Sequence, residues 1–310
     1  MRRNLSTGMQ GADVAAWQSF LNQQGFNVGT ADGAFGPNTK QGTIAFQTKQ
    51  GLTADGVVGP ATYAAAGTLG FTPEDPAPTG ATSGQDAVID TIAGVTVFGI
   101  GNLAVYYTAG MQIDADGSPH AYKAGNQGLD YDQNAKDGNN WVGVLTDSNG
   151  NPIAQGPGDP APGFYITTTS LQDPTRRSRD PLRYVDAEQI PFIVLPGGRL
   201  GGATLGDYAF VLNTANGKST AAIVGDTGPR RKIGEASMAA AGALGIPVSP
   251  RDGGTDTKKV RYIVFPGSGD GRFPSTADAA ATTASLAAIQ AATAAAFAKL
   301  TPDQQARLKA

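Results

Sequence analysis

The stretch AIVGDTGPRRKIGEASMAAAGALGIP, residues 222–247, joins an apolar strand, a Gly-Pro turn and an Ala-rich helix. The strand delivers Asp226 into the turn, and Glu235 follows nine residues later at the start of the helix. Gly245 and Pro247 are typical of a helix end. Two carboxyl groups on opposite sides of a turn can face one cleft, as acid–base cleavage of a glycosidic bond requires. The same residues could instead be a turn former and a partner of the helix dipole.

Short β-branched and aromatic segments recur on both sides of this stretch, separated by clusters of Gly, Pro, Asn and Asp. This spacing is typical of an all-β barrel or sandwich. The segments are Val95–Ile100, Ala104–Thr108, Trp141–Leu145, Phe164–Thr169, Phe192–Leu195, Ala209–Asn213, Ala221–Val224 and Val260–Phe265.

The composition excludes several kinds of chemistry. The 310 residues are 40% hydrophobic and 16% charged, with 43 Gly and 20 Pro, which favours globular domains built from short elements. With no Cys and a single His, His120, the chain cannot assemble a Cys nucleophile, a Cys-rich zinc site or a site with two imidazoles. A Ser-His-acid triad would need His120, which has no nucleophile-elbow motif nearby. Carboxylates therefore remain the candidates for acid–base work.

Charge and hydropathy also limit the expected partners. The formal net charge of −3 predicts no broad basic surface, so nucleic acid is not an expected partner. No run of eighteen apolar residues occurs, so no membrane partner is expected. The two arginines near the start are not followed by the apolar core of a secretory signal.

Acidic residues are concentrated in one part of the chain. Residues 86–166 contain nine acidic and two basic side chains, whereas 167–275 contain ten and fourteen. The excess of negative charge over 86–166 would create an electrostatic field that attracts a cationic polymer. The same residues could be ordinary solvated turns, or one turn could bind calcium, although no complete EF-hand spacing occurs.

The beginning of the chain contains an internal repeat. ADGAFGPNT at 31–39 recurs as ADGVVGPAT at 54–62, with six identities in nine positions. A helical pattern precedes each copy, over Asp13–Gln24 and Thr39–Gln50. The repeat resembles the peptidoglycan-binding module of cell-wall hydrolases, which implies an all-α three-helix module over 1–70 that docks on wall glycan without catalysis. Residues 71–85, rich in Pro, Gly, Ser and Thr, are expected to be a linker.

The rest of the chain resembles the fungal-type chitosanases of glycoside hydrolase family 75, and 222–247 resembles the signature of a double-psi β-barrel. Apart from 222–247, the matching motifs are DGSPHAY (116–122), GLDYDQNA (128–135), GFYITTTSL (163–171), RYVDAEQIP (183–191), LGDYA (205–209) and VFPGSG (264–269).

This resemblance implies a mainly β, double-psi β-barrel-like catalytic domain over 86–275. Family members cleave β-1,4 bonds within chitosan, with inversion and without a metal or other cofactor. The family's two essential carboxylates match Asp226 and Glu235. By analogy with related barrel glycosidases, Glu235 is expected to be the acid and Asp226 the base, which needs a low pKa. The two carboxyl groups should lie roughly 6.5–9.5 Å apart to admit water.

Other residues are candidates for holding the sugar, because amines need carboxylates and pyranose rings need aromatic faces. Asp186 and Glu188 alternate along what is expected to be an extended stretch, which would point both to one face. The full set of candidate binding residues is Asp186, Glu188, Tyr184, Asp130, Asp207, Tyr165 and Trp141. For each aromatic residue, a position in the core is the competing interpretation.

The Ala-rich end, 276–310, is expected to form a helix that either docks on the domain or mediates oligomerisation. The leading hypothesis is an extracellular or wall-associated chitosanase acting on chitosan or a related amino-sugar polymer. One alternative is a hydrolase of peptidoglycan glycan strands, since a wall-binding module could bring the barrel to that polymer. Another is a non-catalytic barrel that binds polysaccharide.

Overall fold

The computed structural model describes residues 4–9, 11–71, 86–198 and 200–310. These residues fall into two compact units, one up to Gln85 and one from Asp86. The predicted linker lies outside the described residues except for Phe71, which is buried in the core of the first unit.

The first unit is the predicted three-helix module, with α1 (Ala12–Gln23), α2 (Pro37–Lys49) and α3 (Pro60–Thr68). A proline begins α2 and α3, at the position where a missing N–H costs nothing. The core is largely aromatic and includes Trp17, Phe20, Phe46, Tyr63 and Phe71.

The internal repeat has a structural cause. Gln18 on α1 accepts a hydrogen bond from the N–H of Gly33 at 2.9 Å and donates to Asp32 at 2.9 Å. Gln47 on α2 makes the equivalent bonds in the second copy, from Gly56 at 2.9 Å and to Asp55 at 2.8 Å. Each Asp-Gly turn is therefore fixed by a buried glutamine on the preceding helix.

The second unit is mainly β, as predicted. Its strands are β1 (Ala87–Ile92), β2 (Val95–Ile100), β3 (Ala104–Asp114), β4 (Lys136–Asp137), β5 (Asn140–Trp141), β6 (Phe192–Pro196), β7 (Tyr208–Asn213), β8 (Ser219–Gly228), β9 (Glu235–Ser237) and β10 (Thr255–Phe265). A short helix α4 (Met238–Ala243) follows β9, and the side chain of Ser237 caps its first turn.

Six of these strands close into a barrel in the order β3, β10, β7, β8, β6, β9 and back to β3. The β6–β8 and β3–β9 pairs are parallel, and the other four pairs are antiparallel. β1 and β2 form a hairpin added to β3. The interior holds the largest core of the unit, which includes Tyr107, Val211 and Tyr262.

The long segment between β3 and β6, residues 115–191, covers part of the outer face of the barrel. Val185, Ala187 and Ile190 pack there against Phe192 on β6 and Ile223 on β8. The sequence predicted barrel strands over Trp141–Leu145 and Phe164–Thr169, which is wrong. Apart from the short β5, these residues pair only through isolated bridges such as Val144–Thr167, because they belong to this covering segment.

The Ala-rich end forms α5 (Ala279–Phe297) and α6 (Pro302–Lys309). By length and mean hydropathy, 19 residues and 1.3, α5 could cross a membrane, although the sequence analysis expected no such segment. Its buried residues include Ile289 and Phe297, which pack against strands of the barrel. The docking that the sequence allowed for this helix is thus present.

Candidate active site

Asp226 and Glu235 lie in one row across the outer face of the barrel. Val194 on β6 pairs with Asp226 on β8, and Ile193 pairs with Ala236 on the antiparallel strand β9. Val194 is therefore opposite Glu235 as well, and one strand separates the two acidic residues. Since neighbouring strands lie about 4.8 Å apart, the two backbones are about 9.6 Å apart.

A β-bulge turns Asp226 out of the barrel interior. Ala222 and Val224 point inward, and strict alternation would point residue 226 inward too. The pairing register shifts between Ile193 and Val194, so that Gly225 is an extra residue and Asp226 shares the outer face with Val194. A Cβ atom at Gly225 would lie 2.7 Å from Phe192, so only glycine fits the bulge.

Asp226 is held by hydrogen bonds to a single oxygen. Its Oδ1 accepts from the Ser170 N–H at 2.9 Å, the Ser170 hydroxyl at 2.5 Å and the Thr227 N–H at 2.7 Å. Burial raises the pKa of Asp226 above its ordinary value and the charge of Glu235 adds to the rise, whereas these hydrogen bonds oppose it. The low pKa expected of a base is therefore not what this environment favours.

Glu235 has a cationic partner. Lys232 Nζ donates to Glu235 Oε1 at 2.6 Å, and 15% of the Glu235 side chain is exposed against 39% of the lysine. Gly234 brings the chain onto β3 with φ 90°, and a Cβ atom there would lie 2.9 Å from Ala109 and Gly110. The turn between the two acidic residues therefore depends on a glycine that touches the barrel.

A polar groove of about 540 Å³ opens beside Glu235. Its lining includes Asp114, Asp116, Tyr122, Asp130, Lys232 and Glu235. Six of the residues that line the groove are acidic, so it is a site suited to a cationic or hydroxyl-rich ligand.

Two of these carboxylates, Asp114 and Asp116, were missed as site residues by the sequence analysis. Asp114 ends β3 on the same outer face as Gln112, the residue that pairs with Glu235. Burial raises the pKa of both aspartates well above the ordinary value, and nearby carboxylates, Asp226 and Glu235 among them, raise it further. The signal available in the sequence was the Asp-x-Asp at the end of an apolar strand.

One predicted binding residue, Asp130, lines this groove. It accepts hydrogen bonds from the Tyr131 N–H and from Asn134, each at 2.7 Å, and from the Tyr122 hydroxyl at 3.4 Å. Burial raises its pKa above the ordinary value.

The chain is extended at Tyr184, which pairs with Gln172, but it turns between Asp186 and Glu188, so the expected alternation of these two residues is wrong. Asp186 is 5% exposed and accepts from the Glu188 N–H and the Gln189 side chain, which folds the segment back. Asp186 and Tyr184 border a second depression of about 390 Å³, while Glu188 accepts from Ser118 and bonds to His120 at 2.8 Å.

The remaining candidates lie apart from the first groove. Trp141 and Tyr165 are half-buried and contact each other edge to face at 5.4 Å, with Lys136 over the indole ring at 4.4 Å. Asp207 is buried, and its two oxygens accept from the N–H groups of Thr204 and Gly269. Asp207 therefore has a structural role in the turn before β7.

Glu235 lines this acidic groove and Asp226 lies one strand away from it, and a pair of carboxyl groups is what cleavage of a glycosidic bond requires. The family comparison agrees, because the model of the fungal chitosanases of glycosyl hydrolase group 75 matches residues 111–301. The chain belongs to this family of glycoside hydrolases. A peptidoglycan-binding domain model matches residues 10–66, which include all of α1 and α2.

The individual relatives each cover a small part of this chain. The N-acetylmuramoyl-L-alanine amidase CwlM of Mycobacterium tuberculosis is 43% identical over 54 residues, which are 17% of this chain and 13% of the amidase. A peptidoglycan-binding protein of Clostridioides difficile is 42% identical over 22% of this chain and 42% of its own, with a TM-score of 0.21. The SleB N-terminal domain is 33% identical over 23% of this chain and 97% of its own, with a TM-score of 0.22. This chain therefore spans only a small part of the amidase.

Proposed function

We propose that the barrel unit is an endo-acting chitosanase that cleaves β-1,4 glucosaminide bonds with inversion, using Asp226 and Glu235. The observation that carries this proposal is the row Asp226–Val194–Glu235 on the outer face of the barrel. Inverting enzymes hold their carboxyl groups roughly 6.5–9.5 Å apart, so that water fits between one of them and the sugar. One intervening strand supports a separation of that order.

The charges around the pair favour a division of roles opposite to the expected one. Asp226 has a raised pKa, and its three hydrogen bonds all reach Oδ1, which leaves Oδ2 to carry a proton. Glu235 instead forms an ion pair with Lys232. In a pair of carboxyl groups, the one whose environment favours the bound proton is the acid. In this proposal Asp226 protonates the leaving oxygen and Glu235 activates water.

Several of the predicted binding residues are retained in the proposal. Asp130 would bind an amine or hydroxyl inside the groove, and Trp141 with Tyr165 would offer an aromatic edge to a sugar. Tyr184 and Asp186 border the second depression, where they would contact a more distant sugar. Glu188, bonded to Ser118 and His120, stays a candidate outside the two depressions. Asp207 is left out because it lines neither depression and both of its oxygens accept from backbone N–H groups.

The first unit would hold the enzyme at a cell wall, and we propose an extracellular or wall-associated location for the whole protein. The family match of residues 10–66 supports this proposal. The same match favours a second candidate function, hydrolysis of peptidoglycan glycan strands by the barrel.

Two assays test these proposals. The first measures release of reducing ends from chitosan and follows the first-formed anomer by NMR, and the second measures loss of turbidity of bacterial walls. The chitosanase should release α-anomers from β-linked chitosan, and Asp226→Asn and Glu235→Gln should each lower the rate by orders of magnitude. Asp90→Asn, at an exposed position on β1 outside the groove, is the matched control. Activity on walls alone would support the second candidate and overturn the first.

A further inference from the structure

Tyr131 carries the one aromatic side chain that the fold leaves exposed. The chain contains 12 Phe, 9 Tyr and 2 Trp, all of which lie among the described residues. Tyr131 is 45% exposed, whereas every other member of this set is buried or half-buried. Burial of an aromatic ring is strongly favourable, and this ring forgoes most of that gain. Its surface is therefore available to a ligand.

The guanidinium group of Arg251 covers one face of this ring, with its Cζ 4.5 Å from the ring centroid. The same group donates hydrogen bonds to three backbone carbonyls of the loop that carries the ring. The acceptors are Asn126 and Gly128, each at 2.6 Å, and Leu129 at 3.1 Å. A planar guanidinium can make several such bonds at once while it stacks on an aromatic face. Arg251 therefore fixes the ring against the loop, and the second face of the ring stays open.

The pair formed by Tyr131 and Arg251 lies at the rim of the polar groove. Asp130, which precedes Tyr131 in the chain, lines the groove, and so do Pro250 and Asp252 on either side of Arg251. Tyr131 and Arg251 themselves are outside the described lining of the groove. A ligand that contacts both the groove and the ring must therefore extend beyond the groove, as a polymer does.

We propose that Tyr131, held in place by Arg251, binds one pyranose ring of a chitosan chain that extends beyond the groove. The inference rests on the proposed chitosanase activity and adds a binding residue to it. The faces of a β-1,4-linked pyranose present C–H groups, and the face of an aromatic ring carries the partial negative charge that attracts them. Such a contact does not involve the amino group. Tyr131 would therefore increase the affinity for long chains and not the specificity for deacetylated sugar.

The test measures kcat and KM on chitosan oligomers of increasing length and on the polymer, for the full chain and its Tyr131→Ala variant. Loss of one stacking contact should raise KM about 3- to 10-fold on the long substrates. The value of kcat should not change, because the ring lies away from the bond that is cleaved. Oligomers too short to reach the rim should keep the wild-type KM. Tyr131→Phe keeps the ring and should restore KM on the long substrates, whereas Arg251→Met should raise it.

Leu103→Ala is the matched control, because Leu103 is exposed in the turn between β2 and β3 and lies outside the groove. This variant should show wild-type values on every substrate. If Tyr131 only supported the fold, Tyr131→Ala would lower the melting temperature and reduce activity equally at all chain lengths, and the inference would be overturned. An unchanged KM on the long substrates would overturn it as well.

A binding measurement separates this inference from the proposed function. A wild-type chain that does not hydrolyse chitosan would refute the proposed function. Calorimetric titration with the long oligomers then decides the inference without catalysis. A Kd about 3- to 10-fold weaker for Tyr131→Ala than for the wild type would support it. Equal Kd values, or no binding by the wild type, would overturn it.

Discussion

Lys232 Nζ lies 2.6 Å from Glu235 Oε1, and this ion pair sits at the mouth of a groove whose other charged lining residues are acidic. Asp226 lies on the other side of Val194 and, among the described residues, accepts hydrogen bonds from the neutral donors of Ser170 and Thr227. The two acidic residues of the row therefore have different partners, a cation for Glu235 and neutral donors for Asp226.

Replacing Lys232 by Met should lower the activity on chitosan, because it removes the ion pair that holds Glu235. Lys232 Nζ lies 2.6 Å from Glu235 Oε1, and a carboxylate that activates water must be held in a fixed position. We expect kcat/KM to fall by about tenfold, the size of a lost charge-assisted hydrogen bond. Initial rates on chitosan measure the loss, with Arg231→Met, an exposed neighbour, as control. A Lys232→Met variant as active as the wild type would contradict the prediction.

A substrate with a good leaving group separates the two roles directly. Dinitrophenolate needs no protonation as it leaves, so Asp226→Asn should lose about 100- to 10,000-fold on chitosan and far less on a dinitrophenyl chitooligosaccharide. Glu235→Gln should lose activity on both substrates, because water activation is needed in each case. Initial rates of phenolate release and of reducing-end release give the comparison. If Glu235→Gln kept its activity on the dinitrophenyl substrate and Asp226→Asn lost activity on both substrates, Glu235 would be the acid and Asp226 the base, as expected from the sequence.

The stability of the barrel should depend on the pH in a way that Asp114 and Asp116 control. Their pKa values are raised well above 3.8 in the folded protein by burial and by neighbouring carboxylates. A raised pKa means that the folded state binds the proton more tightly than the unfolded state. The resulting stabilisation of the folded state is complete at a pH below the pKa of the unfolded state. It is lost as the pH rises through the higher pKa of the folded state.

Asp116→Asn replaces one of these two ionisable carboxyl groups by a neutral amide. Its free energy of unfolding relative to wild type should therefore grow between pH 4 and pH 8, since only the wild type has to ionise a buried group. Urea denaturation at four pH values measures the difference. Asp256→Asn should show a constant difference over the same range, and a constant difference for Asp116→Asn would contradict the prediction.

Asp226 and Glu235 were predicted as the catalytic pair because they lie in one short motif, and β2, β6, β7 and β10 could be predicted because they are rich in β-branched or aromatic residues. β9 has three residues, Glu-Ala-Ser, and exists because the barrel closes through it. Its pairing with β3 brings Gln112 opposite Glu235, and this non-local contact carries Asp114 and Asp116 into the groove. No local pattern contains that information.

The aromatic segments around Trp141 and Tyr165 misled the sequence analysis for a related reason. Aromatic and β-branched residues are favoured in strands because they suit a half-buried surface. The segment that covers the barrel has such a surface too, so the same residues occur there without forming barrel strands. The bulge at Gly225 could also not be predicted from the sequence, because the residue it avoids, Phe192, lies on another strand.

That bulge supports the last prediction. Gly225→Ala would place a Cβ atom 2.7 Å from Cβ and Cγ of Phe192, on a buried strand with no room to relax. The bulge must then shift or open, and it is the bulge that turns Asp226 toward the outer face. We expect a loss of about 1–3 kcal/mol in the free energy of unfolding, as for overpacked cores, together with a loss of chitosanase activity in the fraction that remains folded.

Gly242→Ala is the matched control for this change. It adds the same methyl group within α4, where the nearest atom would lie 3.4 Å away on Val248, and alanine favours a helix over glycine. This variant should be as stable as wild type or more stable, with unchanged activity. Thermal melting and specific activity of the two variants test the prediction, since Gly225→Ala with wild-type activity would mean that Asp226 reaches the outer face without the bulge.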